Sequence, residues 1–293
     1  ILGILAIALH PILFLNTWRI HDGNLTVLLL LAFLASGISY MQLKKTWKLI
    51  VLGIFVGLLF VVRQNTAPLF LIVLIFLWHK KEEKTEFLSR AATFLIFGFI
   101  FMGSVNLILK QKPIYLGDQG YYNLFSGTNE YASEYLLKDF SGENSLEPVL
   151  KARGFANIDD FEERLVFPSE TYRKLSFDYI RENPIEYLKL PVLKIYTFFR
   201  PGYHSVENSG GVFGELLKQS LKMVLALPFF IWLFFVYKTR KRFFEKENLF
   251  IFLTIFIYTV PFFLANADPR YRFPIDIIFI ADSFCRIRVA YER

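Results

Sequence analysis

The sequence predicts an all-α fold: a polytopic transmembrane helical bundle with a helical extracytoplasmic domain inserted between its spans. Three observations carry this expectation. Hydrophobic residues make up 54% of the 293-residue chain, and the mean hydropathy is +0.40. A soluble domain of this length does not need so much apolar surface. Phe occurs 34 times, gathered in long runs rather than alternating with polar residues. The basic residues fall in short clusters between those runs. The net charge of +7 therefore reads as membrane topology and not as a nucleic-acid footprint.

A spanning helix needs roughly 20 mostly apolar residues. Eight apolar runs stand out: 1–16, 25–40, 49–62, 67–78, 88–109, 215–237, 249–265 and 274–288. The third and fourth are short. They are expected to be tilted, bent or partly re-entrant, which is tolerated where protein or water covers the backbone. Connection 41–48 carries Lys44, Lys45 and Lys48, and connection 79–90 carries Lys80, Lys81, Lys84 and Arg90. Connection 238–247 carries Lys238, Arg240, Lys241, Arg242 and Lys246, and the tail carries Arg286, Arg288 and Arg293. Counting crossings puts all four on one side, which the positive-inside rule makes cytoplasmic. Connections 17–24, 63–66, 110–214 and 266–273 then face outward. The expected organisation is about five spans over 1–109, an extracytoplasmic helical domain over 110–214, and about three spans with a cytoplasmic tail over 215–293. The expected location is the inner (plasma) membrane.

The long insertion carries 15 acidic and 11 basic residues over 111–214. Long domains translocate largely regardless of charge. Pro168-Ser169-Glu170 opens a helix over SETYRKLSFDYIREN, with Ser169 as its N-cap. Asn183 caps a second helix, PIEYLKLPVLKIYTFF, with Pro184 at its first position. That helix mixes a broad apolar face with Lys189 and Lys194, an interfacial pattern. Pro191 is expected to kink it. YLGDQGYYNLFSGTNEY, rich in Gly, Asn and aromatics, reads as an irregular loop.

The single cysteine, Cys285, excludes an intrachain disulfide and a Cys-based metal site. The sequence opens at Ile1 inside an apolar run with no basic segment before it, so a signal peptide is not expected. The natural protein is expected to continue upstream.

Four places could carry chemistry. His21-Asp22, in TWRIHDGN, supplies either a base or sugar ligand, or simply an N-cap from Asp22 or Asn24 for the next helix. Arg63, at the outer end of the third run, suits a phosphate contact or a headgroup anchor equally. Asp268, Arg270, Tyr271 and Arg272 sit in a tight loop before Pro274. Guanidinium forks match phosphate oxygens, and an outward basic cluster runs against the positive-inside trend. Arg200, Tyr203 and His204 follow the interfacial helix. His21, His204 and Asp22 could meet a divalent metal, but nothing in their spacing demands one. There is no Gly-rich nucleotide loop, nucleophile elbow or metalloprotease motif. Outward basic groups at a membrane surface suit a donor whose phosphate is attached to a lipid.

Five segments in order, ALHPILFLNTWRIHDGNL, GLLFVVRQNTAPLFLIVLIFLW, GYYNLFSGTNEY, SFDYIRENPIEYLKLPVLKIYTFFRP and ADPRYRFPID, resemble the bacterial membrane glycosyltransferases of family 39. That family lies in the GT-C superfamily, with the protein O-mannosyltransferases and the lipid A aminoarabinose transferase. The resemblance implies a GT-C-like bundle and a polyprenyl-phosphate sugar donor, undecaprenyl or dolichyl. It implies a glycan, lipid or protein acceptor hydroxyl on the outer face of the cell envelope, and inversion at the anomeric carbon. It places the leading acidic motif upstream of Ile1 and leaves Asp22 as a second acid, with Gly23-Asn24 intervening where the family continues into an apolar helix. Arg270, Tyr271, Arg272, Arg63 and Arg200 would meet the lipid phosphate. His21, Asn123, Asn129, Tyr203 and His204 would meet sugar or acceptor. No resident cofactor and no nucleic-acid partner are expected. Two other readings compete. An O-antigen polymerase or ligase also carries a large outer loop with Arg residues. A lipid or solute transporter would place polar residues near the bilayer midplane, whereas these spans are nearly free of charge.

Overall fold

The computed structural model describes residues 22–78, 84–112, 119–137, 169–199, 227–265 and 272–291. Among them every regular element is helical and there is no strand. The α-helices are α1 (Asp22–Leu43), α2 (Thr46–Val62), α3 (Leu69–Trp78), α4 (Lys84–Lys110), α5 (Gln119–Ser126), α6 (Ala132–Leu137), α7 (Ser169–Glu182), α8 (Pro184–Phe199), α9 (Leu227–Lys238), α10 (Lys246–Leu264) and α11 (Phe273–Tyr291). Three are long and apolar enough to cross a membrane: Gly23–Leu43, Lys84–Lys110 and Lys246–Leu264. Runs 1–16 and 215–226 lie outside the described residues.

The chain divides into two compact units. The first comprises Ile1–Leu116, Pro228–Tyr258 and Phe273–Arg293; the second comprises Gly117–Leu227 with Thr259–Arg272.

In the first unit α2 packs against α1 and α4, and α1 also meets α11. Glycine makes the α2–α4 approach possible. A Cβ on Gly53 would lie 2.6 Å from the Phe94 carbonyl oxygen, and one on Gly57 would overlap the Gly98 carbonyl. This is the small-xxx-small device of helices that pack in lipid, where close backbone approach replaces hydrophobic drive. Gly37 likewise leaves room for the Phe250 ring, which also contacts Phe33 and Phe76. Val27, Phe273 and Ile277 form the buried contact between α1 and α11.

The two short runs become separate helices. α2, at 17 residues, is about 25 Å long, short of a hydrocarbon core of about 30 Å. It stops at Arg63, whose backbone is extended, and a 3₁₀ turn at Gln64–Thr66 leads into the 10-residue α3. Lys44 and Gln111 take positive φ just past α1 and α4. Their N–H groups donate to the Tyr40 and Leu107 carbonyls and close those helices.

In the second unit Tyr122 and Phe125 of α5 bury against Tyr172 of α7. This corrects the expected irregular loop over YLGDQGYYNLFSGTNEY: residues Gln119–Ser126 are helical. Tyr122 and Phe125 stand three apart, and burying both on one face outweighs the poor helix propensity of Gly120 and the aromatics. Ala132, Leu136 and Leu190 form a second small core between α6 and α8. One cap assignment changes: α7 already includes Ser169. Asn183 directly precedes Pro184, the first residue of α8, and its carbonyl accepts from the Tyr187 N–H at 2.9 Å, the N-cap position. Its side-chain amide turns back to donate to the Tyr179 carbonyl at 3.4 Å. α8 runs unbroken through Pro191.

Candidate functional site

The last two turns of α8 hold both flanks of the segment that carries Asp268, Arg270 and Tyr271. Lys194 is fully buried, and its Nζ donates to the Leu264 carbonyl oxygen at 3.2 Å. Arg272, also fully buried, donates from Nη1 to the Phe198 carbonyl oxygen at 3.0 Å. Leu264 ends α10 and Phe198 lies one residue from the end of α8. Both carbonyls belong to the last turn of a helix, where no intrahelical donor remains and the dipole end is negative. Each of these carbonyls instead accepts from a buried basic side chain. The Phe198 ring stacks on Phe262, with centroids 5.8 Å apart, and meets Phe263 edge-on at 5.5 Å. Thr197 donates to the Leu136 carbonyl on the neighbouring side. Burial in this apolar setting pushes the Lys194 ammonium down to a pKa of about 7.

Arg272 is thus the described member of the basic loop. It sits at the end of α8, and Phe198 stands two residues before Arg200 in the chain. His21, Arg200, Tyr203, His204, Arg270 and Tyr271 lie outside the described residues. Asp22 is the first residue of α1, so Asn24 falls inside the first turn and not at its cap. Arg63 is partly buried. It closes α2 with its backbone N–H on Leu59, and its carbonyl accepts from the Thr66 hydroxyl at 2.7 Å.

Asn123 and Asn129 fall together around the end of α5. The Asn123 carbonyl accepts from the Ser126 hydroxyl. Asn129 is buried, and its amide nitrogen donates to the carbonyls of Phe125 and Ser126 at 2.9 and 3.2 Å. Its Oδ1 accepts from the Tyr131 N–H at 3.0 Å. Here the side chain braces the turn between α5 and α6.

The second unit also forms an acidic cleft of about 520 Å³, lined by Glu130, Asp178, Glu182 and Glu186 with Tyr179 and Ser133. Burial, with the Glu130 and Glu186 carboxylates, raises the Tyr179 phenol above its usual range. The sequence held a signal for it: Asp178 and Glu182 are one turn apart, and Glu186 follows across the Pro184 boundary. Among the described residues, no group of three or more His, Cys, Asp or Glu side chains could hold a metal ion.

The first unit contains a polar cluster that charge counting along the sequence treats as loop and tail. Arg286 is buried on α11, with Nε on Asp282 Oδ2 at 2.6 Å. Its Nη1 donates to the Thr239 hydroxyl at 2.8 Å and its Nη2 to Asn248 Oδ1 at 3.2 Å. The Trp232 indole N–H donates to the same Asp282 oxygen at 2.8 Å. The cluster ties α9, the 239–245 connection, α10 and α11 together.

The described geometry defines a helical chain with three helices long and apolar enough to cross a membrane, and with buried basic side chains bonded to the terminal carbonyls of α8 and α10. No protein-family model, curated protein or solved structure matches the chain.

Proposed function

We propose that this chain is part of an integral membrane glycosyltransferase of the GT-C kind, moving a sugar from a polyprenyl-phosphate carrier to an acceptor hydroxyl on the extracytoplasmic face. The observation that supports it is the bond from Arg272 to the Phe198 carbonyl. It joins two basic motifs some seventy residues apart in sequence, the Arg270–Arg272 segment and the approach to Arg200. The first suits a phosphate by its own paired guanidinium groups, and the family resemblance extends that role to Arg200. In this reading Arg272 anchors, while Arg270, Tyr271 and Arg200 meet the anionic head of the carrier.

A polyprenyl phosphate already leaves readily. It needs charge stabilisation as the glycosidic C–O bond breaks, which guanidinium groups supply. The acceptor hydroxyl needs a base, a role for which Asp22 is the candidate carboxylate in this reading. In this reading the 110–214 domain helps to select the acceptor, and the chain belongs to the inner (plasma) membrane with this domain outside and the C-terminus in the cytoplasm.

The test uses the full-length protein in proteoliposomes supplied with a polyprenyl-phosphate sugar. Arg270→Ala and Arg200→Ala should each lower transfer by roughly 10²–10³-fold, the scale of one lost oxyanion contact. Unchanged transfer in the double variant removes the assignment. One observation favours the transporter reading as a second possibility: α11 buries Asp276, Asp282 and Arg286, and ionisable groups inside a membrane often mark a transport path. Against it, Asp282 and Arg286 are bonded to each other and to three neighbours, which describes a clamp rather than an open route.

A further inference from the structure

α8 has two opposed faces. Leu190, Lys194, Thr197 and Phe198 are buried. On the other side Ile185, Leu188, Val192, Ile195 and Tyr196 are exposed, Leu188 and Ile185 at 70%. Their spacing of three, four, three and one keeps them within a single stripe of the helix. Glu186 and Lys189 are ion-paired beside it, where a long lysine stem lies along apolar surface with its ammonium in water.

What covers this stripe follows from what its other face touches. Lys194 and Phe198 contact Leu264, Phe262 and Phe263, the last turn of α10. α10 is one of the three helices able to cross a membrane, and its 19 residues measure about 28 Å, close to the thickness of a hydrocarbon core. Its final turn therefore falls at the boundary between acyl chains and headgroups, and a helix packed on that turn lies at the same level.

We propose that the partner of the Ile185–Tyr196 stripe is the lipid bilayer itself: α8 is seated in the outer interface, and the same helix holds Leu264 and Arg272 at headgroup height. This follows from α10 spanning the membrane and does not depend on the sugar-transfer reading. A helix seated in this way buries its apolar face about 5–10 Å into the interface.

Spin labels at single cysteines in the full-length protein test it. Cys285 is replaced by Ala, and Leu188→Cys, Val192→Cys and Ile195→Cys are made separately at surface positions. Phe256→Cys, near the middle of α10, gives the deep reference. In nanodiscs of phosphatidylethanolamine and phosphatidylglycerol, collision with oxygen and with a water-soluble nickel chelate is compared. Labels on the stripe should favour oxygen severalfold, at a depth shallower than the α10 label. Labels favouring nickel would put the stripe in water and overturn the proposal. Labels shielded from both probes would put it against protein and overturn it equally. Absence of sugar transfer by the parent protein, with lipid contact intact, would count against the functional reading alone.

Discussion

Arg286 and Asp282 stand one turn apart on α11, and the carboxylate oxygen that receives the Arg286 Nε also receives the Trp232 indole N–H. A buried charge pair contributes little net stability, but breaking it strands the survivor. Asp282→Ala is expected to cost about 3–5 kcal/mol, seen as a large fall in unfolding temperature in detergent. The double variant Asp282→Leu with Arg286→Met should recover much of that loss. Equal loss in single and double variants would mean that the pair is not the source.

Gly57 provides a second measurement. Gly57→Ala or Gly53→Ala places a methyl against the α4 backbone, and neither helix can yield without separating. The expected cost is about 1–3 kcal/mol, the usual penalty of overpacking. Gly120 on α5 has nothing within 4 Å of its would-be Cβ. Gly120→Ala should be neutral or stabilising by up to about 1 kcal/mol, so the pair of substitutions separates close packing from backbone propensity.

Lys194 predicts a pH dependence with a definite sign. Its pKa falls from an ordinary 10.5 to about 7 on burial. Between those values the unfolded chain binds a proton that the folded chain does not. Stability therefore rises as pH climbs from about 7 toward 10, and the penalty is fully present below 7. Lys194→Met should flatten this slope and gain on the order of a few kcal/mol at pH 6, less the lost bond to Leu264. Thermal unfolding at pH 6, 8 and 10 reads both effects. A parallel profile for the two proteins would rule out Lys194 as the titrating group.

Asn129→Ala removes two donors from the carbonyls of Phe125 and Ser126 and one acceptor from Tyr131. A cost of about 1–3 kcal/mol is expected from groups left buried without partners. Faster amide exchange should appear at Tyr131, whose N–H loses its acceptor. Unaltered exchange there would show the turn to be held by other contacts.

The helical architecture was legible because apolar runs bounded by charge admit little else in lipid, and α1, α4 and α10 each cover all or nearly all of an expected run, 25–40, 88–109 and 249–265, and begin about a turn before it. That Arg200 and Arg272 both belong to basic segments was legible. The bond between their neighbourhoods was not, because a contact across 74 residues leaves no local periodicity. α5 was misread because its propensity is poor and its burial partner, Tyr172, lies far along the chain. Arg286 was misread because a guanidinium near a chain end looks topogenic until its partners Asp282, Thr239 and Asn248 are seen together.

At 27 residues, α4 is about 40 Å long, well beyond the bilayer's apolar thickness of about 30 Å. Gly98 lies near its midpoint and meets Gly53 and Gly57 near the midpoint of α2. This close crossing is placed to serve as a fulcrum. A change in membrane thickness is expected to tilt α4 about Gly98 rather than to separate it from α2.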